Sequence, residues 1–141
     1  MIYKYILIKE RRNYNTGVRI HYVGRKQQFH SLEQNIGSTI TKYPITNGYF
    51  GVKGSSFGIR EIHSRNHEET AKDFFNKIAK GGILDLHTIK GGVISRLKDG
   101  TFVSYRKITS SNNSPAVEIR FRKLGSKYGI KDQKIHFVQN K

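Results

Sequence analysis

The chain has 141 residues, the usual length of one domain, and its 26 lysines and arginines against 10 acidic residues give a formal net charge of +16 at pH 7. This excess favours binding to nucleic acids or acidic proteins, while an aromatic content of 11% argues against a disordered chain. The absence of cysteine excludes disulfides and cysteine-ligated zinc, and no apolar run reaches the roughly 18 residues of a membrane-spanning helix.

The N-terminal part is predicted to be an extension made of a β-hairpin and a long loop. Residues 2–8 and 18–23 are rich in Ile, Tyr and Val, and they flank a turn-forming cluster at 13–17. The polar stretch 24–58 is punctuated by glycines, and we interpret it as mostly loop with a short helix starting near Ser31. The predicted boundaries are 1–58 for this extension and 59–141 for the main module.

The strongest helix pattern covers residues 70–80. Its apolar positions recur at helical spacing and form one stripe: Ala71, Phe74, Phe75, Ile78 and Ala79. Asn66 and Glu69 have the spacing of an N-terminal cap, and the Gly81-Gly82 pair supplies the left-handed conformation that ends a helix.

After the helix the apolar period changes to two, which is typical of strands. The predicted strands are 93–98, 101–108, 116–122 and 134–139, with Asp99-Gly100 as a tight turn between the first two. The prediction is therefore an α+β fold in which one helix packs on a four-stranded antiparallel sheet.

Side-chain alternation predicts which residues face away from that helix. Ile135 and Phe137 should point into the core, so His136 should point away from it and tolerate substitution without loss of stability. The outward face is predicted to carry Glu118, Arg120, Lys134 and His136, joined by Ser104 and Arg106 if the strand register matches. A carboxylate, a histidine and arginines can cleave RNA without a metal, because they supply a base, an acid and cations for the phosphate.

We take His136, Glu118, Arg106 and Arg120 as candidate catalytic residues and Lys134 as a substrate-binding residue. Lys90, Ser110 and Ser111 lie in polar or glycine-rich turns and are further candidates for phosphate binding. His63 and His67 flank the helix start and are interpreted as solvent-facing or capping residues. No metal-ligand spacing occurs, so no metal site and no cofactor are predicted. The alternative for the outward face is an ordinary solvated surface with cross-strand ion pairs.

Several segments between residues 60 and 138 together resemble the C-terminal toxin modules of bacterial polymorphic toxins, including the LXG type. These segments are 70–82, 98–101, 105–106, 110–111, 114–119 and 133–138. Their order and spacing carry the resemblance, whereas the first 55 residues or so resemble nothing comparable.

The resemblance implies a barnase-like ribonuclease that needs no metal and leaves 2′,3′-cyclic phosphate ends. In such enzymes Glu118 would be the base, His136 the acid, and Arg106 and Arg120 the phosphate clamps. It also implies secretion or delivery into the cytoplasm of competitor bacteria, RNA as substrate with tRNA among the candidates, and a dedicated acidic immunity protein.

Two other functions remain open from the sequence. The first is a basic nucleic-acid-binding protein without enzymatic activity, and the second is a related toxin that acts on DNA. The Glu118 and His136 pair favours the enzyme, because a pure binder needs neither group. Aromatic stacking platforms on the outward face would favour the binder.

Overall fold

In the computed structural model, the described residues are 10–13, 18–21, 32–85, 92–109, 113–121 and 129–140. Within these ranges the helices are α1 (Leu32–Thr39) and α2 (His67–Ile78). The strands are β1 (Glu10–Asn13), β2 (Val18–His21), β3 (Ile45–Thr46), β4 (Tyr49–Phe50), β5 (Val52–Lys53), β6 (Ile59–Ser64), β7 (Ile83–Asp85), β8 (Gly92–Arg96), β9 (Phe102–Arg106), β10 (Ala116–Arg120) and β11 (Gln133–Gln139). In the described part of the chain, neither helix is long and apolar enough to cross a membrane.

The main sheet has seven strands in the order β5-β6-β11-β10-β9-β8-β7. The four strands expected from the sequence occur as β8 to β11 and pair antiparallel in chain order. The prediction of a helix on a four-stranded antiparallel sheet is nevertheless wrong, because β6 adds to β11 in parallel and β5 and β7 extend the two edges.

The physical reason for this error lies in the added strands. The apolar residues of β6, Ile59 and Ile62, are three positions apart and lie on opposite faces, so the strand shows no period of two. The strands β5 and β7 have only two and three residues, which is too short for a periodic pattern. Because β6 and β11 are parallel and far apart in the sequence, no tight turn joins them, and the sequence contains no turn signal for this pairing.

Helix α2 packs its apolar stripe on one face of the sheet, as the sequence predicts. The ring of Phe74 lies 5.6 Å from that of Phe137 and 4.9 Å from that of Phe50, while Phe75 lies 5.7 Å from Tyr105. The predicted helix ends are confirmed. The Asn66 side chain accepts a hydrogen bond from the backbone N–H of Glu69 at 3.3 Å, and Gly81 follows with a positive φ of 78°.

Part of the stretch expected to be mostly loop instead builds the same core. Ile36 of α1 and Phe50 of β4 are fully buried, and Tyr43 packs edge-on against Phe74 at 5.2 Å. The Asn35 amide of α1 donates to the carbonyl oxygens of Ile78 at 2.8 Å and Lys80 at 3.0 Å, which satisfies the C-terminal end of α2. The short helix expected near Ser31 occurs as α1, and the described residues after it are mostly turns with three two-residue strands, so this stretch is rich in loops as expected but contributes to the core. The proposed boundary at residue 58 stays a prediction.

Two hairpins follow from turn signals in the sequence. Strands β1 and β2 pair antiparallel from Glu10 with His21 to Asn13 with Val18. The strand predicted at 2–8 lies outside the described residues. Between β8 and β9 the backbone N–H of Leu97 donates to Thr101 O at 2.9 Å, and Gly100 adopts a positive φ of 87°. The turn is at the predicted place but spans three residues, an arrangement that needs glycine at its last position.

Candidate nucleic-acid interface

The main sheet has a buried face and a more exposed one. The core face, turned toward α2, carries Val103, Tyr105, Val117, Ile119, Ile135 and Phe137, each 0% exposed. The open face is the other side, and it carries Glu61, His63, Arg96, Phe102, Ser104, Arg106, Ala116, Glu118, Arg120, Lys134 and His136. The sequence-derived candidates on β9, β10 and β11 therefore share one face, and β6 adds two titratable residues that the sequence analysis did not place there.

The strand register arranges these side chains in three rows across the sheet, apart from His63, which is paired with Val138. The first row runs Glu61, His136, Ala116, Arg106. The second row runs Lys134, Glu118, Ser104. The third row runs Arg120, Phe102, Arg96. Glu118 is therefore paired with Lys134 and not with His136, which is only its diagonal neighbour at a typical distance of about 7–8 Å.

His136 lies at the buried end of the open face. It is 4% exposed, and its Nδ1 is 3.2 Å from the hydroxyl oxygen of Ser114. Burial and the nearby Lys134 ammonium lower the pKa of His136, and the Glu61 carboxylate only partly opposes them. The imidazole is therefore neutral at pH 7. The expectation that His136 is a side chain whose loss the fold tolerates is not supported, because the residue faces away from α2 as predicted but is nevertheless buried.

Glu118 and Arg120 form an ion pair on the same strand. The Nε of Arg120 donates to Glu118 at 2.7 Å, and their side chains are 67% and 33% exposed, respectively. This hydrogen bond raises the pKa of Arg120. Arg106 is also exposed and lies opposite Ala116 in the first row. Both arginines therefore present cations to solvent, and the exposed ion pair itself adds little stability.

Of the two titratable residues that β6 adds to the open face, sequence reasoning missed Glu61 and interpreted His63 only as a solvent-facing or capping residue. They lie two residues apart on β6 and so share a face, and the Nε2 of His63 is 3.0 Å from Glu61 Oε1. The only signal in the sequence was their i, i+2 spacing, which has no meaning until 59–64 is known to be a strand. His67, in contrast, lies at the start of α2, where its Nδ1 is 2.7 Å from Gln139 Oε1.

The remaining candidates are not brought into this arrangement. Lys90, Ser110 and Ser111 lie outside the described residues. Among the residues that the structure describes, no group of three or more His, Asp or Glu side chains could hold a metal ion.

A cleft of about 520 Å³ lies beside the start of α2; it shares His63 with the open face, and its lining also includes Tyr43, Thr70 and Asp73. The Asp73 carboxylate accepts hydrogen bonds from the Tyr43 hydroxyl at 2.6 Å and from the ammonium groups of Lys42 and Lys77 at 3.2 Å each. Partial burial alone would raise the pKa of Asp73, but these hydrogen bonds lower it. Asp73 is thus already paired, and it holds the loop after α1 to α2.

Comparison of the chain with protein-family models, curated protein sequences and solved structures finds no match. The arguments about function therefore rest on the residues of the open face and on the charge of the chain.

Proposed function

We propose that this protein is a metal-independent ribonuclease that binds RNA on the open face of its seven-stranded sheet. The observation that supports the proposal is the first row of that face, where Glu61, His136 and Arg106 lie on three of four adjacent strands. Lys134 lies in the adjacent row and Arg120 in the row beyond it, in a chain of net charge +16. Such a field attracts the phosphate backbone and speeds association with it.

The chemistry requires two proton transfers and stabilisation of negative charge on phosphorus. Because its pKa is lowered, neutral His136 would accept the proton of the ribose 2′-hydroxyl as that oxygen attacks the phosphorus. This role is the reverse of the acid role that the toxin resemblance implied. His63, held by Glu61 at 3.0 Å, would return a proton to the departing 5′ oxygen. The product would be a 2′,3′-cyclic phosphate, with Arg106 and Lys134 stabilising the charge.

The direct test is incubation of purified protein with total RNA in EDTA, followed by gel analysis and identification of the RNA ends. Cleavage should persist in EDTA and leave 2′,3′-cyclic phosphates. His63→Gln should lower the rate about 100-fold or more if His63 is the proton donor. The matched control is His67→Gln, which changes a histidine outside the open face and should leave the rate unchanged. A strict requirement for magnesium, or cleavage of duplex DNA alone, would contradict the proposal.

The burial of His136 favours a second candidate, a nucleic-acid-binding protein without enzymatic activity. A side chain that is 4% exposed offers little surface to a reacting hydroxyl, while the arginines of the same face are open to solvent. The two candidates differ in one result. Tight RNA binding with no cleavage, unchanged by His136→Gln, would select the binder.

We further propose that the ribonuclease acts as a bacterial toxin in the cytoplasm of competitor cells and is neutralised by an acidic immunity protein. The support is the resemblance of 60–138 to toxin modules and the charge of +16, which an acidic partner would complement. Expression in a bacterium without such a partner should stop growth, and His136→Gln should restore it. Normal growth with confirmed expression of the wild-type protein would contradict the toxin assignment.

A further inference from the structure

The third row of the open face carries an aromatic ring between two arginines. Phe102 of β9 is paired with Arg96 of β8 on one side and with Arg120 of β10 on the other. Its neighbour Val103 points to the core face and is 0% exposed, whereas Phe102 remains partly exposed. If Phe102 served only to fill the core, it would be expected to point to the same face as Val103 and Tyr105.

The two arginines hold different positions relative to the ring. The guanidinium carbon of Arg96 lies 4.9 Å from the centroid of the Phe102 ring, the geometry of a cation–π contact. Arg120 is instead oriented by its 2.7 Å hydrogen bond to Glu118. Arg96 therefore lies over the ring of Phe102, and Arg120 is the residue paired with Phe102 on the neighbouring strand.

This combination matches the chemistry of a single-stranded nucleic acid. Bases that are not paired can stack on aromatic rings and guanidinium planes, while the bases of a duplex are stacked on one another and cannot reach such a surface. Cations beside the ring then neutralise the adjoining phosphates. A helical duplex would need the basic residues but not the ring.

We propose that Phe102 and Arg96 form a base-stacking subsite and that the ligand of the open face is single-stranded RNA. The inference rests on the proposed function, since it names the form of RNA that the same face binds. Ser104 and Arg106 follow Phe102 along β9 in steps of about 7 Å, so the subsite lies about 13 Å from Arg106. A strand stacked on Phe102 can thus extend along β9 toward the row that contains His136.

The chain contains no tryptophan, which allows a specific optical test. In Phe102→Trp the new indole would be the only tryptophan, and its fluorescence should be quenched when a base stacks on it. The probes are a 2′-O-methyl RNA oligonucleotide, which cannot be cleaved through its 2′ oxygen, the fully paired duplex of the same sequence, and an abasic version. Quenching should saturate with the single strand and be absent with the other two.

The matched control is Phe57→Trp, because Phe57 is 90% exposed and lies in the turn between β5 and β6. No quenching is expected there. Equal quenching of Phe102→Trp by the duplex or the abasic strand would overturn the proposal, as would quenching at position 57 but not at 102.

Affinity measurements separate this inference from the proposed function. Phe102→Leu should weaken binding of the single strand about 10-fold, the usual effect of losing one stacked base, and Phe102→Tyr should restore it. Thermal melts of both variants show whether the fold is intact. If wild-type protein binds the single strand and Phe102→Leu binds it equally well, the stacking subsite is wrong and the proposed function stands. If wild-type protein binds no RNA, both are wrong.

Discussion

The two ends of the open face differ in burial although they belong to the same strands. At one end His136 and Ala116 are each 4% exposed, although Arg106 of the same row is exposed. At the other end Arg120 and Arg96 are exposed to solvent beside the partly exposed ring of Phe102. A buried imidazole is held neutral and fixed in orientation, which suits proton transfer. Exposed cations and a ring suit binding of a flexible polyanion. Under the proposed function, proton transfer would therefore take place at one end of the open face and base stacking at the other.

The largest expected effect is on cleavage at the buried end. His136→Gln removes the titrating group but keeps a side chain that can hydrogen-bond to Ser114, so RNA cleavage should fall about 100- to 10,000-fold. Binding of the uncleavable RNA should change little, since Arg96 and Arg120 are at the other end. Initial rates and affinities measured on the same preparation check this. A variant that keeps the full rate with an unchanged melting temperature would remove His136 from the mechanism.

The next effect is the salt dependence of binding at the exposed end. Wild-type affinity for single-stranded RNA should fall about 300-fold between 50 and 200 mM salt if about six phosphates are contacted. Replacing Arg96 and Arg120 together by glutamine should reduce the slope of log affinity against log salt by about 1.4, the value for two contacts to a single strand. Titrations at four salt concentrations give both slopes. An unchanged slope in the double variant would mean that phosphates bind elsewhere.

A smaller effect is expected on stability. Substitution at the buried end should change the stability more than substitution at the exposed end, whereas the reverse is expected for binding. His136→Ala leaves a cavity and removes the partner of the Ser114 hydroxyl, so it should lower the free energy of unfolding by about 1–3 kcal/mol. Arg120→Ala changes an exposed side chain and should stay within about 0.5 kcal/mol. Urea unfolding of both variants measures the difference. Equal stabilities would show that the burial of His136 contributes nothing to the fold.

The elements that the sequence predicts are those with a local repeat. The apolar stripe of α2 and the alternation of apolar residues along β8 to β11 each lie within one continuous segment of the chain. They therefore predict the helix and these strands correctly. The parity of Ile135 and Phe137 likewise places His136 on the face away from α2. Each of these inferences needs only neighbouring residues in the chain.

Pairing between distant segments is what the sequence could not supply. Alternation gives the face of a strand but not its register, so nothing local distinguishes Glu118 opposite His136 from the observed pairing with Lys134. The parallel strand β6 joins β11 across more than seventy residues, and it brings Glu61 beside His136. The burial of His136 depends on this packing, and for that reason its reduced pKa could not be anticipated.

The smallest expected effect is the pH dependence of stability at the buried end, and its sign follows from the direction of the pKa shift. In the unfolded chain His136 takes up a proton near its ordinary pKa of 6.5, while burial and Lys134 lower its pKa in the folded protein. As pH falls through 6.5, the unfolded state therefore binds the proton first, and the folded state loses stability until its own pKa is passed. Above this window the contribution is fully present.

The measurement is urea unfolding of wild type and His136→Gln between pH 5 and pH 8. Wild type should lose more stability than the variant on acidification, because glutamine does not titrate. His67→Gln serves as the control for replacing a histidine outside the open face. Parallel curves for wild type and His136→Gln would mean that His136 is as easily protonated in the fold as in the unfolded chain. The proposed role of His136 as a base would then have no electrostatic support. The two ends of the open face would differ only in their exposure to solvent.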